Sequence, residues 1–279
     1  MSARIDAHQH FWRYHRDTHA WIGDTMAALK RDFLPADLQP LLAAAGFDGC
    51  VAVQAQQHVA ETAWLLQLAD RFPFIRGVVG WIDLCAPNVA AALAALAAHS
   101  RLRGVRHVVQ DEADDRFMLR PDFQRGIAAL APLGLVYDIL IYARQLPTAI
   151  ELVQRFPRQP FVLDHIAKPN IRAGRLDEWR SDIIRLATYP NVTCKLSGMV
   201  TEADWQAWQA DDFTPYLDVV LEAFGAQRLL IGSDWPVCTL AGSYADVVAV
   251  VTNHVARLSP SERDAVCGDN AVRVYNLAV

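Results

Sequence analysis

The sequence lacks the features that mark secreted, membrane-spanning and disulfide-rich proteins. Its five cysteines are scattered and odd in number, and no Cys-x-x-Cys motif occurs, which favours reduced thiols in a cytoplasm over a disulfide framework. The N-terminal residues contain no apolar signal-peptide core, and the longest apolar stretch, Val89 to Ala98, is too short to span a bilayer. We therefore expect a cytoplasmic protein.

Runs of lysine and arginine are also absent, and the formal net charge is −5. A nucleic-acid binder usually carries a basic face and a membrane-surface protein a basic amphipathic helix, so neither partner is expected. The 279 residues, 53% hydrophobic and 20% charged, are sufficient for one large barrel or two small domains. Because no linker or low-complexity segment divides the chain, we predict a single domain over residues 1–279. Nothing in the sequence predicts the oligomeric state.

Short β-like runs alternate with longer helical stretches along the whole chain. Eight β-like runs are predicted: Arg4–His10, Cys50–Ala55, Ile75–Asp83, Gly104–Gln110, Leu135–Tyr142, Pro160–His165, Val192–Leu196 and Leu229–Asp234. The predicted helices are Pro35–Ala45, His58–Phe72, Pro87–His99, Pro121–Leu133, Leu146–Phe156, Leu176–Tyr189, Phe213–Phe224, Ala245–Leu258 and Ser261–Val274, with Asn88 as a candidate cap. Eight such units predict an α/β fold, a single (β/α)8 barrel. A doubly wound open sheet is the alternative, although no Gly-x-Gly-x-x-Gly turn follows the first run.

Polar residues stand at the end of nearly every β-like run, which is where a barrel places its chemistry. They are His8 and His10, Gln54, Trp81 with Asp83, Arg106 with His107, Tyr137 with Asp138 and Tyr142, Asp164 with His165, Lys195 with Ser197, and Asp234 with Trp235. Two histidines two residues apart on one strand point to the same side. A ring of polar groups in an apolar barrel costs free energy unless partnered, so the pattern predicts a site.

Several of these residues also have a structural interpretation. Asp6 can hydrogen-bond the backbone near the start of the first strand, and Asp234 can cap the turn before Trp235 and Pro236. His165 and Arg106, each taken alone, fit a structural role as well as a functional one. Packing or surface roles are equally open for the side chains of Gln54, Tyr142 and Lys195.

Four segments together resemble the amidohydrolase superfamily. They are Asp6-Ala7-His8-Gln9-His10-Phe11-Trp12, Leu163-Asp164-His165-Ile166-Ala167-Lys168-Pro169, Gly232-Ser233-Asp234-Trp235-Pro236 and Gly268-Asp269-Asn270-Ala271. These segments resemble most the motifs of the lactonase branch. That branch includes fuconolactonase-like and rhamnonolactonase-like enzymes and pyrone-dicarboxylate lactonases. The resemblance implies hydrolysis of a sugar lactone, as in carbohydrate catabolism, and a divalent metal such as zinc held by His8, His10 and Asp234.

The sequence departs from the metal-dependent pattern of that superfamily. Tyr137 and Asp138 stand where many members place a histidine, and Arg106-His107 replaces a lysine that can be carboxylated. We therefore predict that the metal is not strictly required.

For the reaction, we predict Asp234 as the base that activates water, with Arg106 and His165 stabilising the oxyanion. Gln54, Trp81, Tyr142 and Trp235 are predicted to bind the sugar ring, a small-molecule substrate. The alternatives are a metal-dependent decarboxylase or pyrone-dicarboxylate lactonase of the same superfamily, and a non-catalytic barrel used for binding or assembly.

Overall fold

A computed structural model describes residues 2–278 and contains eight β-strands, each followed by helix. The strands are β1 (Ile5–Gln9), β2 (Gly49–Val53), β3 (Ile75–Gly80), β4 (Leu102–Val108), β5 (Val136–Leu140), β6 (Phe161–Leu163), β7 (Val192–Leu196) and β8 (Leu229–Ile231). Every predicted strand is present. Most are shorter than predicted because the chain leaves the sheet before the polar residues at the end of the run.

The helices also follow the predicted order. They are α1 (Pro35–Ala44), α2 (Val59–Arg71), α3 (Val89–Ala97), α4 (Pro121–Ala128), α5 (Leu146–Arg155), α6 (Asp177–Ala187), α7 (Ala210–Phe224), α8 (Tyr244–Val255), α9 (Pro260–Asp264) and α10 (Asn270–Val274). A 3-10 helix at Asp24–Leu29 was not predicted, and the Asn88 side chain makes no capping hydrogen bond. Across residues 2–278, no helix combines the length and hydrophobicity that crossing a membrane requires.

The strands form one parallel sheet in the order of the chain, from β1 to β8. Two backbone hydrogen bonds join the end of β8 to β1: Asp234 N donates to His8 O at 2.8 Å, and His10 N donates to Trp235 O at 2.7 Å. A doubly wound sheet would reverse its strand order. The prediction of a (β/α)8 barrel is therefore confirmed.

The single helix predicted at Ser261–Val274 is interrupted by a π-helical turn, Ala265–Asp269. Within it, Gly268 packs so tightly on the first residues that an added β-carbon would lie 1.7 Å from the Ala3 carbonyl oxygen. Asn270 then donates to the carbonyl of Ala226, in the turn before β8, and to that of Leu229, the first residue of β8. The Gly-Asp-Asn-Ala motif thus attaches the C-terminal segment to the residues at the start of the first and the last strand.

That C-terminal segment also fills the end of the barrel opposite the polar strand ends. Tyr275 and Leu277 pack in an apolar cluster with inward-facing strand residues such as Ile5, Val51 and Val136. A larger cluster, made of strand and helix residues, surrounds the barrel on the outside. The polar residues at the strand ends therefore lie on the opposite side of this apolar cluster from the C-terminal segment.

After β6 the chain makes an unusual left-handed turn. The four residues from His165 to Lys168 have φ values of 55°, 48°, 61° and 47°, and none is glycine. Each L-residue in this conformation costs about 1–2 kcal/mol, because Cβ approaches the following carbonyl oxygen. The Trp179 indole on α6 donates to the Ile166 carbonyl at 2.7 Å and helps to hold the turn. The predicted strand ends early for this reason, and His165 is carried across the mouth of the barrel.

Candidate active site

Three histidines and one aspartate meet at the mouth of the barrel. Three distances to Asp234 Oδ1 define the cluster: 3.3 Å from His10 Nε2, 3.7 Å from His8 Nε2 and 4.0 Å from His165 Nε2. All four side chains are buried. The structure therefore brings together the residues that the sequence singled out on the first, sixth and eighth strands.

His10 has a defined orientation. Its Nδ1 lies 2.8 Å from the Val53 carbonyl oxygen, which can only accept, so Nδ1 carries a hydrogen and donates. In the neutral ring, Nε2 then carries a lone pair. This lone pair is directed at Asp234 Oδ1, 3.3 Å away, and at His8 Nε2, 3.2 Å away. A lone pair facing a carboxylate needs a proton or a cation between them.

Asp234 stays ionised in this setting. Burial alone would raise the pKa of Asp234, but nearby His165, the hydrogen bond to His10 and the charges of His8 and His10 together hold it well below its usual range. Its backbone has φ 58°, which turns the carboxylate from the end of β8 towards the barrel axis. A carboxylate that is charged at neutral pH therefore lies at the centre of the site.

His165 contributes a neutral imidazole. Burial lowers the pKa of His165 to about 4, against the opposing charges of Asp234 and Asp164. Its Nδ1 lies 2.9 Å from Ser197 Oγ, and its ring lies 4.4 Å from that of His8, measured between centroids. If Ser197 donates this hydrogen bond, Nε2 carries the hydrogen and can donate to a substrate oxygen.

Arg106 is fixed by four contacts on the other side of His8. Its Nη2 donates to Gln54 O and to Gln54 Oε1, at 2.5 and 2.8 Å. Its Nη1 donates to Asp164 Oδ2 at 3.0 Å and lies 3.2 Å from His8 Nε2. A buried guanidinium held in this way places a fixed positive charge beside the histidine cluster.

A buried ionic layer lies beneath the cluster and was not predicted as a unit. The ammonium of Lys195 lies 2.6 Å from Asp138 Oδ2, 3.0 Å from Asp164 Oδ1 and 3.2 Å from His8 Nδ1. The hydroxyl of Tyr275 lies 2.9 Å from both carboxylate oxygens of Asp138. Burial would raise the pKa of Asp164, but Lys195, His8 and Arg106 hold it well below its usual range. This layer fixes His8 from below.

Asp6 binds the backbone, as its structural interpretation predicted. Its carboxylate accepts from Ser233 N at 2.9 Å, Ser233 Oγ at 2.6 Å and Tyr244 OH at 3.0 Å. Ser233 directly precedes Asp234, so Asp6 positions the segment that carries the charged acceptor.

His8, His10 and Asp234 could hold a metal ion. Their three facing atoms are separated by 3.2, 3.3 and 3.7 Å. Ligand atoms about 2 Å from a tetrahedral zinc ion lie about 3.3 Å apart, so the spacing and the nitrogen and oxygen donors fit a divalent cation. Arg106, close to His8 Nε2, would share the site with that cation.

A cavity of about 600 Å³ opens above the cluster. His10, Arg106, His165 and Asp234 lie in its wall, together with Gln54 and Tyr142, two of the predicted substrate ligands. Gln54 Nε2 is buried and has no hydrogen-bond partner among the described residues, which leaves a donor for a bound molecule. The volume is within the range of small-molecule sites.

Trp81 and Trp235, the other predicted substrate ligands, are absent from the described cavity wall. Trp235 is buried against Phe11 and Phe33, and the indole of Trp81 lies 3.4 Å from His107 Nδ1. Both residues follow strand ends, but their large side chains pack outward into the shell around the barrel. We therefore leave them out of the substrate site.

Three residues of the site were missed or undervalued by sequence reasoning. Lys168 and Glu202 both line the cavity. Glu61, on α2, accepts hydrogen bonds from the backbone of Ala55 and Gln56 and so holds the loop after Gln54; burial raises its pKa to about 8. The only sequence signal for Glu61 was a carboxylate in a segment otherwise suited to burial.

Gly198 has φ 60°, and its surroundings leave no room for a side chain. An added β-carbon would lie 2.3 Å from His165 Nδ1. Gly198→Ala should lower kcat/KM about 100-fold, because the imidazole must move by a large fraction of an ångström or more. Gly134→Ala is the matched control, with φ 68° and nothing within 4 Å of the added carbon. It should cost about 1 kcal/mol of stability at unchanged kcat/KM, and equal activity of the two variants would contradict this role for Gly198.

Comparisons with known proteins give a consistent picture. The family described as amidohydrolase matches residues 5–277. An L-fucono-1,5-lactonase of Burkholderia multivorans is 46% identical, over 98% of this chain and 96% of its own, and one of Burkholderia ambifaria is 41% identical, over 99% and 97%. A crystal structure of a Burkholderia multivorans amidohydrolase with bound zinc superposes with a TM-score of 0.96 at 45% identity, over 99% of this chain and 100% of that one.

Proposed function

Because this chain belongs to the amidohydrolase family, we propose that it hydrolyses a sugar lactone of the L-fucono-1,5-lactone type to the aldonic acid. Full-length similarity to two lactonases supports the class of substrate. One structural observation carries the chemistry: an ionised Asp234 lies in the wall of a polar cavity beside Arg106 and three histidines. The substrate is a small molecule, and the product is an acid.

Asp234 acts as the base in this mechanism. Water adds to the carbonyl carbon and gives a proton to Asp234, whose neighbour His10 Nε2, 3.3 Å away, can share that proton. The bond from the carbonyl carbon to the ring oxygen then breaks. The proton passes to that oxygen, which leaves as a hydroxyl group of the aldonic acid.

Arg106, through its positive charge, and His165, through its Nε2 hydrogen, stabilise the oxyanion that forms on the carbonyl oxygen. Both line the cavity, and the hydrogen bonds to Gln54 and Ser197 hold them in place before the substrate arrives. A donor positioned in advance contributes about 3 kcal/mol to transition-state stabilisation, because it does not have to reorganise during the reaction.

A divalent metal, when bound, would be held by His8, His10 and Asp234 and would polarise the carbonyl and acidify water. We propose that it is accommodated but not strictly required. Arg106 already places a positive charge 3.2 Å from His8 Nε2, and a lactone is a strained, reactive ester. The protein's own charges thus cover part of what the metal supplies.

The test is acid release from a panel of sugar lactones, followed with a pH indicator before and after exhaustive chelation. We expect turnover of a sugar 1,5-lactone that survives chelation, with the metal content measured in the same samples. Loss of activity on chelation and its return with zinc would refute metal independence but leave the lactonase in place. Failure on every lactone in the panel would overturn the proposed function.

A further inference from the structure

Lys168 is the last residue of the left-handed turn that follows β6. Four strained residues in succession persist only where surrounding contacts enforce them, and such strain concentrates at functional positions. Here, Ile166 and Ala167 are completely buried, and Trp179 fixes the Ile166 carbonyl. The turn therefore delivers the Lys168 side chain into the cavity wall in a set direction.

Glu202 approaches Lys168 from the segment that follows the neighbouring strand. It lies in the 3-10 turn Val200–Glu202 that follows β7, and it also lines the cavity. Lys168 Nζ lies 3.9 Å from Glu202 Oε1, which is longer than a hydrogen bond, and 5.5 Å from the centre of the Tyr142 ring. Burial raises the pKa of Glu202, against the charge of Lys168. The two groups face each other across a gap, and each side chain keeps about a fifth of its surface exposed (17% and 22%).

On the basis of the proposed function, we infer that Lys168 and Glu202 bind two adjacent hydroxyl groups of the lactone ring. The ammonium donates to one hydroxyl oxygen, and the carboxylate accepts from the neighbouring hydroxyl. A vicinal diol gives each charged group a hydrogen bond, whereas an unsubstituted ring gives neither group one, and sites built in this way reject such analogues strongly. A carboxylate on the ring would be repelled by Glu202. The pair thus selects neutral polyol lactones.

The experiment compares Lys168→Met and Glu202→Gln with the unmodified enzyme on three lactones. These are glucono-1,5-lactone, δ-valerolactone, which is the same ring without hydroxyls, and a sugar lactone that bears a carboxylate. Each variant should lose roughly 10- to 100-fold in kcat/KM on the polyol, the range for a lost charged hydrogen bond, and less than about 3-fold on δ-valerolactone. Glu202→Gln should in addition raise the ratio of carboxylate-bearing to neutral substrate turnover.

The matched control is the ion pair of Arg172 and Asp204, which is 3.8 Å long, solvent-exposed and outside the described cavity wall. Arg172→Met and Asp204→Asn should leave kcat/KM unchanged on all three lactones. Equal loss on the polyol and on δ-valerolactone, or no loss on either, would overturn the inference while the lactonase stands. An unmodified enzyme that hydrolyses none of the lactones would instead remove the proposed function and this inference with it.

Discussion

Asp234→Asn should lower kcat/KM for a sugar lactone by about 1,000-fold or more, with the fold intact. A positioned general base contributes about 10²–10⁴-fold, and the amide can neither take a proton from water nor balance the neighbouring histidines. Its backbone hydrogen bond to His8 O does not involve the side chain and should persist. Steady-state acid release and thermal unfolding, measured on the same preparation, check both parts of the expectation.

Asp17→Asn provides the control for this substitution. Asp17 also lines the cavity, but its side chain is 85% exposed, so removing its charge should change kcat/KM by less than about 3-fold. Near-normal turnover by Asp234→Asn would show that another group activates water. A large loss of thermal stability in that variant would instead point to a structural role for the carboxylate.

Lys195→Met should have the largest effect on stability. The substitution leaves Asp138 and Asp164, both completely buried, without the cation that lies within 3.0 Å of each. Removing one partner of a buried ionic cluster costs about 3–5 kcal/mol; here Asp138 loses its cation and keeps the Tyr275 hydroxyl, while Asp164 keeps Arg106. Urea denaturation should show this as a lower midpoint at unchanged slope.

The pH dependence of that loss follows from the carboxylates. Burial already raises the pKa of Asp138 to about 6 although Lys195 opposes it, and removing that cation raises it further, so the folded variant binds more protons than the unfolded chain and its stability falls as pH rises. The deficit of Lys195→Met should therefore shrink in acid. Adding Asp138→Asn should recover part of the lost free energy at neutral pH, while Tyr275→Phe, which removes one hydrogen bond to Asp138, should cost only about 1 kcal/mol. A Lys195→Met protein as stable as the parent would refute the argument.

Much of this architecture was predictable because local patterns determine it. Apolar runs separated by helical stretches predicted the eight strands, and the rule that parallel strands end on one face predicted that His8, His10, His165 and Asp234 would meet. The expected roles of Gln54 and Tyr142 are consistent with their places in the cavity wall. Each of these predictions depends on the position of one residue relative to one strand.

The features of the site that could not be predicted depend on how the strands are placed relative to one another. Lys195, Asp138 and Asp164 come from three strands, and only the stagger of the closed barrel places their charges at one level. The left-handed turn contains no glycine that would signal it, so the direction of the Lys168 side chain could not be predicted. Trp81 and Trp235 illustrate the converse, because a residue just past a strand end can turn either inward or outward.

The seam between β8 and β1 has a further consequence for how the chain acquires activity during synthesis. Asp234 and the two histidines of the first strand are separated by more than 220 residues, yet they contact one another directly. The ribosome must therefore synthesise nearly the whole chain before these residues can come together. Contacts so distant in sequence form slowly. The time at which turnover appears during refolding therefore reports when the barrel closes.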